Sequence, residues 1–264
     1  MILIESKGYM LNQIHYYKDL LLVLTGKDIK VRYKSSYLGY LWSLANPLFL
    51  ALIFYFVFKV VTKVKMENYT LFLISGLFIW QWINNAIMMG TNLYISNASL
   101  IKKVNFPRNF LVIASTLSEG FNFLVSIPVI IFFMLYYGEY PALNWLFLIP
   151  IILVPTFLFV YSLSLFVATV NLFFRDMERI IGLLLTFVFY LTPIIYPLKM
   201  IPDKYQQLIF INPFAPLVIT WQNLFLHSTL EIKYFMISIL YAIIAFSVAT
   251  YTYTKLKYKF AELV

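Results

Sequence analysis

An all-α polytopic membrane domain is the fold that this sequence predicts. Three observations carry the prediction: an apolar composition, a series of long apolar runs, and a lopsided distribution of basic residues among the segments that join them. Across 264 residues, apolar and aromatic types make up 62% and charged types 12%, with a mean hydropathy of +0.83. Soluble domains carry about 25% charged residues, and a soluble chain of this length has too little interior to hide so much apolar surface. The first 34 residues carry Glu5, Asp19 and Asp28 among their basic residues. They lack the long apolar core and small-residue cleavage site of a signal peptide. Cysteine is absent, so thiol usage says nothing about the redox compartment.

A helix that crosses a bilayer needs about 20 predominantly apolar residues. Six stretches meet that requirement, at residues 41–61, 69–90, 110–137, 143–173, 180–196 and 234–253. The third and fourth exceed a straight crossing, and Pro150 and Pro155 in the fourth predict a tilt, a kink or a broken first turn. Residues 197–233 are too apolar for a free loop, yet Pro202, Pro213 and Pro216 divide them into runs too short to cross. Paired short helices, or a re-entrant hairpin on the outer face, fit that description; a pair of interfacial anchors is the other reading. The chain therefore reads as one domain over 1–264, with an interface region at 1–40, a six-helix membrane domain at 41–253 and a tail at 254–264.

Basic residues favour the cytoplasmic loops of membrane proteins. Fourteen of the twenty here fall before the first span, after the second and fourth, and in the C-terminal tail, which places both termini in the cytoplasm. This bias, with attraction to anionic lipid headgroups, accounts for the net charge of +9. A nucleic-acid partner would require a soluble basic domain, and the sequence has none.

Ahead of the first span, Met10, Ile14, Tyr17, Leu21 and Leu24 recur at spacings of three and four, opposite Asn12, His15 and Asp19. That is an amphipathic helix lying along the inner leaflet, with Leu22 and Val23 widening its apolar face toward other spans. Gly26 and the charged stretch Lys27–Lys34 then lead to the membrane at Tyr37–Trp42. After the second span, residues 91–109 contain Lys102, Lys103 and Arg108 but no acid. Ser96 and Asn97 are placed to cap a short helix, which Pro107 must end. Such a basic, rigid helix suits docking into a partner's cleft, and equally a solvated loop that obeys the charge rule.

Enzyme chemistry finds no footing. The one Gly-Lys pair, Gly26-Lys27, is followed by Asp28 and lacks the surroundings of a nucleotide-binding loop. His15 and His227, far apart and on opposite faces in this topology, do not make a metal or acid/base centre. Glu119 lies well inside the third span, where an ionisable group is expensive and faces the protein interior or a water-filled path. It reads as a pathway or gate residue, or as a structural hydrogen-bond partner of Asn122 or of another span. Aromatic residues reach 20% of the chain, beyond what two interfacial belts require. Most pack between helices or face lipid, but rings such as those of Trp80 and Trp82 in the second span also offer flat surfaces to sugars.

The stretch from Lys27 to Lys34, continued by Leu38-Gly39-Tyr40-Leu41-Trp42 and Asn46-Pro47-Leu48, resembles the approach to the first span in type-2 ABC exporter permeases. Further similarity lies in the Lys102–Arg108 stretch, in Phe174-Arg175-Asp176, Thr192-Pro193-Ile194 and Asn212-Pro213. Within that class the chain is most similar to exporters of O-antigen, teichoic acid and capsule polysaccharides. An Arg expected near Trp221-Gln222-Asn223 is missing. The resemblance implies a homodimeric permease of the bacterial inner membrane. Its partners would be two copies of a separately encoded cytoplasmic ABC ATPase, which bind ATP and Mg; this chain would hold no cofactor and no catalytic or metal site. It further implies a lipid-linked polysaccharide substrate and contact with membrane lipids.

Carried over residue by residue, the ATPase-coupling loop comprises Ser96, Asn97, Leu100, Ile101, Lys102, Lys103, Phe106 and Arg108. The interface and lead-in residues are Lys30, Arg32, Tyr33, Tyr37, Tyr40 and Trp42. Pathway or gate roles fall to Glu119, Trp80, Trp82, Asn212, Pro213 and Phe214, with residues 202–226 as an outer gate hairpin. Two other function classes compete: export of a small lipid or drug by the same kind of permease, and a membrane-embedded glycan or acyl transferase, for which no nucleophile or acid/base set is visible.

Overall fold

The computed structural model describes residues 2–33, 39, 41–61, 63 and 66–260, and in the first helix the side chains of residues 15–30. Ten helices order these residues. α1 (Ile2–Tyr33) precedes α2 (Leu41–Tyr55), which ends in a π-helical turn at Phe56–Val61. α3 (Tyr69–Ser96), the short α4 (Ala98–Lys103), α5 (Asn109–Tyr136), α6 (Trp145–Asn171) and α7 (Met177–Leu191) follow. α8 (Asp203–Gln206) continues as 3₁₀ turns over Gln207–Ile211 and meets α9 (Ala215–His227) at a bend of 110°. α10 (Ile232–Leu256) closes the order. Five of these helices are long and apolar enough to cross a membrane: α2 with its π turn, α3, α5, α6 and α10 with its last turn. The α8–α9 pair is the hairpin expected between the fifth and sixth spans.

α3 is the central post. Over its most apolar window 78% of residues are buried, against 11% in α2 and 17% in α10, so the outer helices leave their apolar faces to lipid or to another protein. It also runs past the predicted end at Gly90 to Ser96. Gly90 does not stop the helix. It lets another backbone approach: a Cβ there would lie 3.1 Å from the Ser164 carbonyl oxygen and 3.2 Å from the Ser164 Cα of α6.

The fifth span departs from its predicted bounds of 180–196. Its helix starts earlier, at Met177, and stops at Leu191. Pro193 disfavours the helical conformation at the residue before it, and Thr192 is extended, with φ −93° and ψ 137°. The backbone beyond is irregular as far as a single 3₁₀ turn at Leu198–Met200, and in a membrane its polar groups need partners. Side chains provide them: the Tyr69 hydroxyl donates to the Ile195 carbonyl at 2.6 Å, and Gln222 Nε2 to the Pro193 carbonyl at 3.1 Å.

α1 departs as well. It continues past the amphipathic pattern that ends at Leu24, through Gly26, to Tyr33. A helical glycine costs about 1 kcal/mol relative to alanine. Contacts on both sides of it offset that cost: Leu24 is buried against the base of α5, and Lys27 Nζ donates to Asn97 Oδ1 at 2.8 Å. Tyr17 packs its ring 5.1 Å from Phe110. Part of α1 thus packs against another span, while Leu22 and Val23 on the widened face stay exposed. The side chains of Met10 and Ile14 lie outside the described residues.

The two ends of the bundle are tied separately. At the hairpin end, Tyr137 donates to Thr70 Oγ1 at 2.9 Å, and Trp145 Nε1 to Ser228 Oγ at 3.0 Å. At the other end, Asn171 Nδ2 donates to the Thr91 carbonyl at 2.7 Å, and an Arg108 guanidinium nitrogen to the Lys257 carbonyl at 2.9 Å. Phe260 is fully buried there, 5.0 Å from Tyr94 and 5.8 Å from Tyr253, with the Arg108 guanidinium over its ring at 5.7 Å.

Candidate functional site: a groove of amides and aromatic rings

Helical spacing aligns one face from each of three helices. α3 contributes Leu77, Trp80, Gln81, Asn84 and Asn85 at steps of three and four; α2 contributes Asn46, Pro47, Leu50 and Phe54; and α7 contributes Leu185, Thr186, Phe189 and Tyr190. Together they enclose a groove of about 390 Å³. Among the described residues no charged side chain lines it. Four side-chain amides and the hydroxyls of Thr186 and Tyr190 instead share the walls with aromatic rings, a set that hydrogen-bonds hydroxylated ligands and stacks on their apolar faces.

Trp80 forms part of the wall, its ring 5.6 Å from Phe189 and 5.7 Å from Phe214. Trp82 faces elsewhere, because two residues along a helix is about 200° of rotation. It stacks on Phe123 at 5.4 Å and donates Nε1 to the Thr116 carbonyl at 3.2 Å. Its other neighbours line a second, almost wholly apolar groove of about 610 Å³ between α1, α5 and α6, which includes Leu22, Phe121, Leu153 and Phe157.

Glu119 is 1% exposed and stands behind the first groove, outside its lining. Its Oε2 accepts from Asn85 Nδ2 and from Asn122 Nδ2, each at 3.4 Å. Asn85 thus links the buried carboxylate to the groove wall.

Asn212, Pro213 and Phe214 occupy the bend between α8 and α9. Asn212 donates to Thr192 Oγ1 at 2.9 Å and accepts from the Phe214 amide at 3.0 Å. Phe214 is 8% exposed, seated between Trp80 and Phe159, the latter at 5.2 Å. The hairpin is therefore hinged directly on the groove wall, while Leu208 and Ile211 stay exposed.

In the loop after α3, Ser96 and Asn97 finish that helix and do not cap the next. Ser96 Oγ and Asn97 Nδ2 both donate back to the Leu93 carbonyl, at 3.1 and 2.9 Å, and Asn97 makes no side-chain cap bond to α4. α4 also ends before Pro107: Val104 turns extended, with φ −124° and ψ 130°, and Phe106 swings into the core. Ile101 and Phe106 are buried anchors, Leu100 is half-buried, and Lys102 and Lys103 point outward. Asn92 Nδ2 donates to Glu178 Oε2 at 2.5 Å, tying the end of α3 to the start of α7.

Of the lead-in residues, Lys30 and Trp42 are exposed. Arg32 and Tyr33 complete α1 with side chains outside the described residues, as are Tyr37 and Tyr40 altogether. What sequence reasoning missed is the amide set. Gln81, Asn84 and Asn85 repeat at helical spacing within an apolar span, and that pattern was available as a signal.

Comparison with known proteins places these features in context. Residues 19–226 match the family described as ABC-2 type transporter. An O-antigen export system permease protein RfbA of Klebsiella pneumoniae is 47% identical over 94% of this chain and 96% of its own. A protein of the same name from Myxococcus xanthus is 29% identical over 82% of this chain and 84% of its own. The polysialic acid transport protein KpsM of Escherichia coli is 25% identical over 73% of this chain and 75% of its own.

Proposed function

The chain belongs to the ABC-2 type transporter family of membrane proteins, and we propose that it is the permease through which an ATP-driven exporter passes a lipid-linked polysaccharide out across the inner membrane. The observation that carries the cargo assignment is the uncharged groove of amides and rings in the membrane domain. Amides exchange hydrogen bonds with sugar hydroxyls, and aromatic faces support the rings. The absence of a fixed charge along that wall lets a polymer slide without being gripped at one place. The names of the relatives from Klebsiella, Myxococcus and Escherichia agree with a polysaccharide cargo.

In this reading two copies of the chain face each other across a two-fold axis, since a groove open on one side becomes a pore when its copy closes it. The exposed apolar residues of α2 and α7, such as Phe49, Ile53, Leu183 and Phe187, supply the surface for that pairing. Two copies of a cytoplasmic ATPase carry ATP and Mg and dock on the loop around Lys102 and Lys103. Glu119 positions Asn85 at the groove wall, and the α8–α9 hairpin gates the outer mouth.

Cells that depend on this chain for a surface polysaccharide should, once it is removed, accumulate the lipid-linked polymer inside. Changing Gln81 and Asn84 to Leu removes two hydrogen-bond partners, each worth roughly 0.5–1.5 kcal/mol, and should slow export about tenfold at unchanged protein level. Surface polymer that persists without the chain overturns the assignment.

Sidedness has its own test. A reporter that works only in the cytoplasm should be active when inserted at Lys102 and inactive when inserted after Lys63. Activity at Lys63 would reverse every role that depends on orientation.

A further inference from the structure

At the hairpin end, apart from the groove, a cavity of about 770 Å³ opens between the start of α3, the segment between α7 and α8 with its 3₁₀ turn, and α9. Its polar walls are Glu67, Lys199, Gln222, Asn223, His227 and Glu231, with Phe72 and Tyr234 beside them. The size lies within the range of small-ligand sites, about 300–1,000 Å³. Both signs of charge are present, and among the described residues no three His, Asp or Glu side chains lie close enough to hold a metal ion. A simple anion would meet Glu67 and Glu231, and a simple cation would meet Lys199. A hydroxyl-rich ligand, which both donates and accepts, satisfies the whole set.

The floor is built in advance. Gln222 is 4% exposed, and its amide is held by the bond from Nε2 to the Pro193 carbonyl at 3.1 Å. Gly76 makes that seat possible, because a Cβ there would lie 2.8 Å from Gln222 Nε2. At the mouth, Asn223 Nδ2 donates to Glu231 Oε1 at 2.9 Å and fixes the carboxylate. Tyr234 stacks on Phe210 at 5.8 Å and also lines a neighbouring cavity of about 230 Å³, whose walls include Asp203, Gln206, Gln207 and Lys233. Hydrogen-bonding groups therefore continue on both sides of one aromatic ring.

We propose that this cavity is a saccharide-binding site, one in each protomer, that holds a sugar unit of the polymer as it leaves the pore. The proposal rests on the polysaccharide reading above. It adds a resting place at the exit, built on the same helix, α9, that follows the Phe214 hinge, so that occupancy of the pocket and the position of the hairpin bear on each other.

The chain has no cysteine, which permits a single reporter. Met200 lines the cavity and is 47% exposed. A polarity-sensitive fluorophore on Met200→Cys, in the permease–ATPase complex in lipid nanodiscs, would report occupancy. The probe is the host's own surface polysaccharide, freed from its lipid by mild acid. A saturable emission change is expected from this label, and none from the same dye on Phe174→Cys at the opposite end. Glu231→Gln combined with Asn223→Ala should raise the half-saturating concentration at least tenfold, and Gln222→Leu should remove the response. Saturation by calcium chloride or inorganic phosphate alone would overturn the proposal, as would an unchanged response in both variants. A silent label in a strain that still retains polymer when the chain is removed would reject the pocket and leave the export reading standing. A strain that retains no polymer would reject both.

Discussion

Replacing Lys102 by proline should abolish export and separate the permease from its ATPase, while the permease still inserts and pairs. Lys102 is the right position because its side chain is exposed and it lies past the first turn of α4, so proline removes a helical hydrogen bond and clashes with the preceding turn, at a cost of about 3 kcal/mol. That exceeds what a six-residue helix (Ala98–Lys103) can hold by itself, since isolated helices shorter than about 12 residues are marginal. Leu100 is a poorer choice: it sits in the first turn, where proline is better tolerated, and its half-buried side chain would be lost as well. Ile101 and Phe106 should go on anchoring the loop to the core. Lys102→Ala, which removes the charge and keeps the helix, separates shape from electrostatics and should reduce ATPase association by much less. Export and ATPase co-purification that survive Lys102→Pro unaltered would make this loop a solvated turn.

How much of this was legible in the sequence differs from element to element. The spans were legible because crossing a bilayer imposes a length on an apolar run, and α2 with its π turn, α5 and α6 end within two residues of their predicted bounds. The hairpin was legible for the same reason in reverse, since prolines divide its apolar runs below that length. The end of α7 at Thr192 was written in Pro193 but obscured by the apolar residues that follow. Nothing local announces that Tyr69 and Gln222 satisfy the carbonyls there, because the Tyr69–Ile195 bond joins residues 126 apart and the Gln222–Pro193 bond residues 29 apart. Gly90 shows the same limit: as a stop signal it is ambiguous, and only the approach of Ser164 decides that it is a packing position. The groove was half legible. Trp80 announces itself by its ring; its amide neighbours on the same face, and the divergence of Trp82, follow only from the helical period.

In the proposed two-fold assembly, joining the two copies of the hairpin should block polymer export reversibly. Asn212 and Phe214 at the bend are poor sites for a cross-link: Phe214 is wedged between Trp80 and Phe159, and Asn212 is engaged with Thr192. Their packing makes them the hinge. The free edge is the preceding segment, where Leu208 is 55% exposed and Ile211 73% exposed. Cysteine at Leu208 or Ile211, in a chain with no background thiols, gives a pair that a short thiol cross-linker can bridge across the two-fold axis. Under the proposed function a long polymer occupies the pore through many ATP cycles, so an outer gate formed by the hairpin would stay parted while it passes and close when the pore is idle. Bridging the gate should therefore stop export nearly completely, with lipid-linked polymer accumulating inside and clearing when the bridge is reduced, and with ATPase assembly intact. A permease that releases small lipids sideways would lose little activity under the same bridge. Unchanged surface polysaccharide with the cross-link confirmed would reduce α8 and α9 to an interfacial anchor, and the gate would have to be sought in the ring contacts that Trp80 makes with Phe189 and Phe214.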